Sequence, residues 1–417
     1  MQYGPKIVTN GLVLALDAAD MNSYSPNVFP YPNDIYAWTG TNQVNCTLSR
    51  DSSIIRQYGS IPLKMVVTAN DSYTGTFNSS TWNLAPAVTG QTWTVSVYVK
   101  ASVTTTIEGP VIFECNSSGV FLSATSAGSF SIGTSWTRIS YTVTFGNAST
   151  AFIQIRLDGP QTGAAGQTIW WDGLQVERAS TATRFNSNYY GNTIWRDFSG
   201  TSNSFTIANA PTYSTTSFNF NGSTQYAYIS TASGFFNSSG NSFYADVGYA
   251  WSISVWFKFP VSPTTVRNST VNGGNCSYAM IGNAGGIGGA ETLSLFVSGG
   301  DATTSAGGLS PYFCVVGIRG SKTQLSAGSV NTNTWNNVVV TWNGSAGRGY
   351  FNGVDKGALN IGTAGIQISG YTVAATAGGA SSHVFEGDLS SILVYNRALT
   401  ATEVLQNYNA TKARFGL

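Results

Sequence analysis

Charged residues are scarce in this chain, and their scarcity excludes several classes of protein. The 417 residues include 19 Lys+Arg and 18 Asp+Glu, which is 9% charged with a formal net charge of +1, against roughly 25% in an average soluble protein. No cluster of Lys and Arg supplies the basic patch with which a nucleic-acid-binding protein displaces phosphate counterions. Charge-driven disorder is also excluded, because the charge is low and 13% of the residues are aromatic.

Long apolar runs are absent as well. No stretch approaches the ~18 consecutive apolar residues of a membrane-spanning helix, so we expect no membrane insertion. The apolar segment Gly11–Leu16 is short, is preceded by the single Lys6 and is followed at once by Asp17. These features favour a strand over a secretory signal peptide. We therefore expect the chain to stay in the compartment where it is made, or to leave it by a route other than secretion.

Cysteine and histidine are too few for the usual metal and redox motifs. The four cysteines are Cys46, Cys115, Cys276 and Cys314, and their spacing fits no zinc or redox motif. Buried free thiols are favoured over one disulfide in each half of the chain. The only histidine, His383, argues against a histidine-based metal site and against a Ser-His-Asp triad.

Alternating apolar and polar residues fill much of the chain. In residues 93–99, Trp93, Val95, Val97 and Val99 share one face, and the same period-two pattern recurs over residues 139–145, 153–158 and 251–259. Such alternation is typical of half-buried antiparallel strands. Asn-Gly pairs at residues 221–222 and 352–353 predict tight turns between strands. The pattern predicts a β-sandwich or jelly roll.

One helix is predicted, at the C-terminus. Thr400 and Glu403 have the spacing of a capping box, and Leu399 and Val404 have that of a hydrophobic staple. Val404, Leu405 and Tyr408 then form an apolar stripe, so we expect the helix to dock on the sheet and close the domain. The region Lys412–Arg414 after it is interpreted as a solvated end.

Several segments resemble a known family of jelly rolls. These segments are Ile7–Ala19, Phe220–Tyr226, Trp335–Gly344, Gly349–Gly353, Phe385–Leu389 and Val394–Leu399. Together they are similar to the core and closing motifs of laminin-G-like, concanavalin A-type jelly rolls, especially those of bacteriophage structural proteins. The resemblance implies a concanavalin A-type sandwich around these segments.

A second sandwich interrupts the first. In the family, the first strand is soon followed by a Ser-Tyr and then a Trp-x-Asp-x-Ser-Gly stretch. Here Ser23-Tyr24 has the expected position after the first strand, but the second stretch comes only at Trp195–Gly200. Residues 1–25 are therefore expected to be the first strand of the outer jelly roll, 26–188 an inserted domain and 189–417 the remainder.

The inserted domain carries its own resemblance. Asn27–Asp34, Thr94–Ala101, Trp136–Arg138 and Ile169–Glu177 resemble segments of phage modules related to carbohydrate-binding sandwiches. The predicted fold class is thus all-β, with two antiparallel β-sandwich (jelly-roll) domains, one inserted in the other, and a short C-terminal helix.

No catalytic constellation is found. Glycoside hydrolases of this fold need two carboxylates facing one bond, and the nearest pair, Glu386 and Asp388, is interpreted as a polar sheet face or a loop anchor. The strand pattern of the polysaccharide lyases is absent, because His383 follows Ser381-Ser382. We therefore expect a protein that is not an enzyme.

One metal site is implied by the resemblance. Related carbohydrate-binding sandwiches hold a structural Ca²⁺ through an Asp on the last strand, and Asp172 stands at the matching place. Ca²⁺ takes six to eight oxygen ligands, and the alternative is an Asp that caps turns or faces solvent. Asp17 and Asp197 are weaker candidates in the outer domain, and no other cofactor is expected.

Sugar binding would use exposed aromatic rings with amide and hydroxyl groups nearby. The candidate carbohydrate-binding residues are Tyr31, Trp38, Tyr189 and Tyr190, which lie near predicted loops or the domain junction. The alternative for each is a core or interface aromatic, and a surface rich in Tyr, Ser and Asn equally suits contacts between proteins.

The resemblance implies a function on a virus particle. It suggests a non-enzymatic phage virion surface protein, a capsid decoration or a tail or baseplate appendage, with lectin-like domains directed at host-surface glycans. The alternatives are a dedicated tail-fibre receptor-binding adhesin and a polysaccharide-degrading enzyme. The expected partners are other virion proteins in a symmetric assembly, and the chain would be made in the host cytoplasm. Scarce charge predicts contacts that depend weakly on salt.

Overall fold

A computed structural model shows a molecule built almost entirely of strands. It describes residues 6–20, 24, 27–29, 34–39, 43–54, 61–74, 84–126, 128–160, 165–185, 193–201, 203–214, 216–229, 243–245, 250–260, 277–283, 293–299, 312–318, 321–325, 330–360, 366–368, 371–375 and 384–417. The all-β fold class with one short C-terminal helix is confirmed.

The strands vary in length from two to ten residues. The first group is β1 (Leu12–Asp17), β2 (Gln43–Val44), β3 (Cys46–Arg50), β4 (Leu63–Val67), β5 (Tyr73–Thr74), β6 (Ala85–Pro86), β7 (Thr92–Ala101), β8 (Thr105–Ile107), β9 (Gly109–Cys115), β10 (Phe121–Ser126), β11 (Phe130–Ile132), β12 (Thr137–Thr144), β13 (Phe152–Asp158) and β14 (Thr168–Glu177). The second group is β15 (Ile194–Trp195), β16 (Phe205–Ala208), β17 (Thr212–Tyr213), β18 (Phe218–Asn221), β19 (Tyr226–Ile229), β20 (Phe243–Ala245), β21 (Trp251–Lys258), β22 (Ser277–Asn283), β23 (Leu293–Gly299), β24 (Tyr312–Ile318), β25 (Ser321–Gln324), β26 (Trp335–Trp342), β27 (Gly347–Phe351), β28 (Val354–Leu359), β29 (Ile366–Ile368), β30 (Tyr371–Val373) and β31 (Glu386–Tyr395). The helices are α1 (Ile35–Thr39) and α2 (Ala401–Thr411), and a 3₁₀ helix follows at Lys412–Phe415.

The chain divides into two compact units. We call Met1–Tyr24 with Thr193–Leu417 the outer unit and Ser25–Asn192 the insert. In the outer unit β1 pairs with β31, with Leu14 opposite Val394, so the N-terminal strand joins a strand near the other end of the chain. Independent folding of the insert stays a prediction.

The outer unit contains two large antiparallel sheets. One has the order β17-β18-β31-β21-β26-β27-β28, with β1 on β31, and the other has the order β15-β16-β19-β30-β22-β23-β24-β25. A core of buried side chains from both sheets includes Leu16, Trp195, Phe218, Trp251 and Phe257. The apolar positions predicted by alternation in β21 therefore face the core.

The other face of β21 is also buried, which the half-buried strand pattern does not predict. The ring of Trp256 stacks on Tyr408 of α2 at a centroid distance of 5.5 Å and on Phe415 at 4.3 Å. The C-terminal end is thus more than a solvated tail, because Phe415 also packs on Trp335 and Arg414 pairs with Asp17 at 2.6 Å.

Helix α2 begins as predicted. The Thr400 hydroxyl accepts from the Glu403 amide and the Glu403 carboxylate accepts from the Thr400 amide, which completes the capping box. The predicted stripe is wrong at Leu405, which is 47% exposed. Asn407 is buried instead, because its side chain accepts from the Val8 amide at 2.7 Å and donates to the Tyr395 hydroxyl at 3.0 Å.

The two Asn-Gly turns differ. Asn352 and Gly353 have φ of 51° and 76° and join β27 to β28, which pair as a hairpin, as predicted. Asn221 and Gly222 instead connect β18 and β19, which belong to different sheets. There the Asn221 side chain accepts from the amides of Ser223 and Thr224, so the turn carries the chain from one sheet to the other.

The insert is a sandwich of two antiparallel sheets. Their orders are β12-β7-β14-β4-β3 and β10-β9-β13-β5-β2, with β6 also on β13. The inner faces share a core that includes Trp93, Val97, Ile155, Trp171 and Val176. The strands β7, β12 and β13 follow the alternation seen in the sequence.

Three cysteines are described, and none of them is in a disulfide. Cys46, Cys115 and Cys314 are buried free thiols, which confirms the favoured interpretation for these three, while Cys276 lies outside the described residues. Burial raises the pKa of Cys46 and of Cys115 to about 11, so these thiols stay protonated and unreactive near neutral pH.

Candidate functional site

Of the four predicted sugar-binding aromatics, one lies in the core and three lie outside the described residues. Tyr31, Tyr189 and Tyr190 lie outside the described residues. Trp38 of α1 is 7% exposed and packs edge-on against Phe29 at a centroid distance of 5.4 Å. Trp38 is therefore a core aromatic, which is the alternative to sugar binding that the sequence leaves open.

Asp172 lies in the middle of β14. Its side chain is buried, and the residue pairs with Tyr98 of β7 at a bulge where Gly173 has a φ of 59°. The described residues contain no group of three or more His, Cys, Asp or Glu able to hold a metal. Any Ca²⁺ at Asp172 would therefore take most of its ligands from backbone carbonyls, as the resemblance implies, and this site stays a prediction.

The weaker metal candidates in the outer unit are engaged in hydrogen bonds. Asp17 accepts from Arg414 at 2.6 Å and from the Ala19 amide at 2.9 Å. Asp197 accepts from the backbone amide of Ala15 and from a series of groups in the following turn, those of Ser199, Thr201 and Asn203. These bonds fasten strand β1 and the turn after β15.

One member of the acidic pair on β31, Asp388, contacts side chains of neighbouring strands. Asp388 accepts from Asn219 at 3.2 Å and from Ser217 at 3.3 Å, and the Lys258 ammonium lies 3.9 Å away. Burial raises the pKa of Asp388, against the opposing effect of these donors. The contacts of Asp388 correspond to the anchoring alternative for that residue.

A surface that the sequence did not single out crosses one sheet of the insert. In β7 the residues Tyr98 and Lys100 point away from the core, because side chains alternate across a strand. Trp170 of β14 pairs with Lys100 of β7 and with Lys64 of β4. Trp136 directly precedes Thr137, which pairs with Val99. We call the four side chains Trp136, Lys100, Trp170 and Lys64 the aromatic row.

A lysine sits between two tryptophans in the aromatic row. The Lys100 Nζ atom lies 5.0 Å from the ring centroid of Trp170 and 5.6 Å from that of Trp136. A cation this close to an indole face is attracted by the ring quadrupole. All four side chains of the row are half-buried, so each keeps part of its surface open to solvent.

Trp170 is held in place from the side. Its indole Nε1 donates to the Asp51 carboxylate at 2.9 Å, and the Lys64 ammonium lies 3.9 Å from the same oxygen. The pKa of Asp51 is lowered, chiefly because the Ser53 hydroxyl and the Trp170 indole donate to the carboxylate. The indole orientation is thus fixed before any ligand arrives.

The other end of the same face is covered. Thr94 and Ser96 are buried, and the Thr94 hydroxyl donates to the Ala179 carbonyl at 2.7 Å. The segment after β14 crosses here, with Thr183 bound to the Glu177 carboxylate through both its amide and its hydroxyl. The aromatic row lies on the other half of this face, where all four side chains keep partial exposure.

One further row separates the covered and open halves. Arg138 of β12 lies over the ring of Tyr98 at 5.7 Å and donates to the Ser96 hydroxyl at 2.7 Å. Burial raises the pKa of Glu177, and the positive charge of Arg138 opposes that rise. The charge of Arg138 thus acts on the buried Glu177 of the covered half.

The second sheet of the insert carries a small acidic cavity. About 200 Å³ in volume, it is lined by Asp71, Ser72, Tyr73, Glu108, Arg156, Asp158 and Gly159. Arg156 makes two hydrogen bonds to Asp158 and lies 4.3 Å from the Tyr73 ring centroid. Burial raises the pKa of Asp158 to about 6 despite Arg156, and the charge of Glu108 acts in the same direction as burial.

Comparison with known proteins identifies the fold of the outer unit. Residues 221–405 match the model of the Laminin_G_3 family, in the concanavalin A-like lectin/glucanases superfamily. Comparison with curated proteins gives no match. Among the described helices, none has both the length and the apolar character needed to cross a bilayer.

Solved structures give weaker likenesses. The binding domain of Paraclostridial Mosquitocidal Protein 1 is 17% identical over 52% of this chain and 49% of that one, with a TM-score of 0.32. Domain 4 of the Geobacillus stearothermophilus arabinanase AbnA, in complex with arabinotriose, is 14% identical over 51% and 92%, at 0.31. Trypanosoma rangeli sialidase is 14% identical over 88% and 63%, at 0.36. The chain spans about half the length of the first of these, and likenesses of this strength carry no argument about site or function.

Proposed function

We propose that the protein is a non-enzymatic glycan-binding protein and that the insert binds sugar on the aromatic row. The observation that carries the proposal is the partly exposed pair Trp136 and Trp170, which flank Lys100 of β7 from the start of β12 and from β14. The lectin-like fold of residues 221–405 is consistent with it.

The physical reason lies in the shape and chemistry of sugars. The apolar face of a pyranose ring packs on an indole, while its hydroxyls need donors and acceptors at the edge of the ring. Lys100 and Lys64 supply donors and Asp51 supplies acceptors along the same row. Lys100, Lys64 and Trp170 lie on strands, and Asp51 and Trp136 directly adjoin the ends of strands. Little ordering is therefore required on binding.

A binding assay with tryptophan variants tests this proposal. A glycan array first selects a ligand for the full chain, and calorimetry then compares the wild type with Trp170→Ala. We expect the variant to weaken binding at least tenfold, because stacking on an aromatic ring is lost. Tyr228→Ala, which removes a 37% exposed ring in the outer unit, is the matched control and should bind like the wild type. Absence of binding to every glycan, or equal binding by Trp170→Ala, would contradict the proposal.

We further propose that the protein occupies the surface of a phage virion, as a capsid decoration or a tail or baseplate appendage. This part rests on the resemblance of the core and closing motifs, such as Trp335–Gly344 and Val394–Leu399. Counting copies per virion by quantitative mass spectrometry tests it. Hundreds of copies would support decoration, a few to tens would favour a tail appendage or an adhesin, and absence from purified virions would refute the placement.

The proposal that the protein is not an enzyme has a direct test as well. Host envelope polysaccharide is incubated with the full chain, and reducing ends are measured over time. We expect no release above that of a heat-denatured sample. Release that disappears in Asp388→Asn would assign catalysis to β31 and overturn the proposal.

A further inference from the structure

We propose that the ligand of the aromatic row is an acidic glycan whose carboxylate pairs with the ammonium of Lys100. The inference rests on the proposed function and adds the chemical class of the sugar, one that contains uronic acid. It is carried by the surroundings of Lys100, which lies against two indole rings and makes none of the ion pairs of the described insert, whereas Lys64 of the same row faces Asp51.

No ion pair of the described insert includes Lys100. The acids of the insert all lie in the described part of the chain: Asp34, Asp51, Asp71, Glu108, Glu114, Asp158, Asp172 and Glu177. Among the described residues of the insert, the ion pairs join Arg50 to Asp34, Lys64 to Asp51 and Arg156 to Asp158. None of these ion pairs includes Lys100, so its charge has no carboxylate at ion-pair distance there.

The neighbours of Lys100 fix its position without neutralising it. Trp136 and Trp170 approach its ammonium from both sides, and an aromatic ring attracts a cation without removing its charge. An ammonium held in this way loses little further freedom when it meets an anion. A charge-assisted hydrogen bond to a carboxylate is also stronger than a bond to a neutral hydroxyl.

The same two rings select a sugar acid over a simple anion. A uronic acid carries its carboxylate on a pyranose ring, so the ring can stack on Trp170 while the carboxylate reaches Lys100. Lys64, on the far side of Trp170, already faces Asp51 at 3.9 Å. Within the row, Lys100 is therefore the lysine that makes no ion pair with a described acid of the insert.

The acidic cavity on the second sheet does not compete for such a ligand. Asp71, Glu108 and Asp158 outnumber the single cation Arg156 there. Arg156 is moreover engaged by both oxygens of Asp158. An anion would be repelled from that cavity, so an acidic glycan that binds the insert points to the aromatic row.

The test uses the full chain and a pair of matched ligands. Oligogalacturonate and its fully methyl-esterified form have the same sugar rings and differ in charge. We expect the wild type to bind the acid roughly five- to tenfold more tightly than the ester, as expected for one charge-assisted contact at a half-buried site. Raising NaCl from low to high concentration should reduce this preference, since salt screens a solvent-accessible pair.

Two lysine variants separate the central charge from general electrostatics. Lys100→Met keeps an apolar stem between the indoles and should bind acid and ester equally, whereas Lys64→Met should keep most of the preference. Circular dichroism verifies the fold of each variant, and the salt dependence of the wild type tests the charge without any substitution.

The outcomes distinguish the two proposals. Equal binding of acid and ester by the wild type, or equal loss of preference in Lys64→Met and Lys100→Met, would overturn the acidic specificity and leave sugar binding intact. If neither ligand binds and no other glycan does, both proposals fail. A preference lost only in Lys100→Met supports the assignment.

Discussion

Trp170 and Trp171 are adjacent in the chain and face opposite sides of the same sheet. Trp171 is fully buried in the core of the insert, whereas Trp170 is half-buried in the aromatic row. Because side chains alternate across a strand, one step along the chain separates a residue that holds the fold together from one that is available to a ligand.

Substitution of these two tryptophans should therefore have different effects on stability. We expect Trp171→Ala to lower the free energy of unfolding by about 3–5 kcal/mol, because it leaves a large cavity in the core. Trp170→Ala should cost roughly 1 kcal/mol, since it removes partial burial and one hydrogen bond. Urea unfolding followed by circular dichroism measures both losses, and equal losses would contradict the assignment of the two faces.

Asp158 makes the stability of the insert depend on pH. Burial raises its pKa to about 6 in the folded protein, while an unfolded Asp titrates near ~3.9. Between these values the folded state retains a proton that the unfolded state has released. Stability contributed by Asp158 is therefore complete below about pH 4 and falls as the pH rises to about 6, by at most about 3 kcal/mol.

Urea unfolding at several pH values between 4 and 7 checks this expectation. Asp158→Asn should reduce the decline of unfolding free energy with pH, because the amide does not titrate. The pKa of Glu177 is also raised, and its contribution to the pH dependence is the same in the wild type and the variant. Asp51→Asn is the control and should leave the decline between pH 4 and 7 in place, since the pKa of Asp51 is lowered and its contribution is lost only below that range. An Asp158→Asn profile parallel to the wild type would show that Asp158 is ionised throughout.

At the scale of elements, the first residue of helix α2 can be predicted from the local sequence, whereas the residues with which the helix docks cannot. The capping box at Thr400 and Glu403 is local, and Arg397 strengthens it by two hydrogen bonds that lower the pKa of Glu403 to about 2. The docking is not local, because Asn407 reaches Val8 and Tyr408 reaches Trp256. The sequence pattern placed Leu405 in the apolar stripe because helical spacing alone does not identify a polar core residue.

The cap gives a prediction at this scale. Thr400→Ala should lower the free energy of unfolding of the outer unit by about 1 kcal/mol, since a helix amide loses its acceptor. Thr402→Ala, on the exposed side of the same helix, should change stability by less than about 0.5 kcal/mol. The urea concentrations at the unfolding midpoints of the two variants are compared. Coincident midpoints would mean that the cap is not needed once α2 has docked.

At the scale of the whole molecule, the chain leaves the outer unit after Tyr24 and re-enters it at Thr193. Strand β1 then pairs with β31 over five register positions. The insert has its own core and its own pair of sheets. Such an arrangement predicts that the insert is a separate folding domain.

A fragment of residues 25–192 tests this prediction. We expect it to unfold in urea in one cooperative transition and to retain glycan binding, because its core and the aromatic row lie within it. A matched fragment that ends at residue 167, and so lacks β14, should fail to fold since β14 lies at the centre of its sheet. An unstructured 25–192 fragment from a stable full chain would mean that the insert needs the outer unit.

The scarcity of charge takes on a more specific meaning at this scale. Weak salt dependence stays the expectation for contacts between this protein and other proteins, because most of the surface is neutral. The aromatic row is the exception that we propose, since Lys100 at its centre makes no ion pair with a described acid of the insert.

Local patterns in the sequence determined the strand-rich fold class, the Asn352-Gly353 hairpin, the start of α2 and the buried state of the described thiols. Each depends on residues within a few positions of one another or on overall composition. The tertiary structure alone decided that both faces of β21 are buried and that Trp38 packs in the core. It also decided that Trp136, Lys100 and Trp170 meet. Their contact depends on the register between strands far apart in the chain, and no local period encodes that register, since it is set by the packing of the whole sandwich.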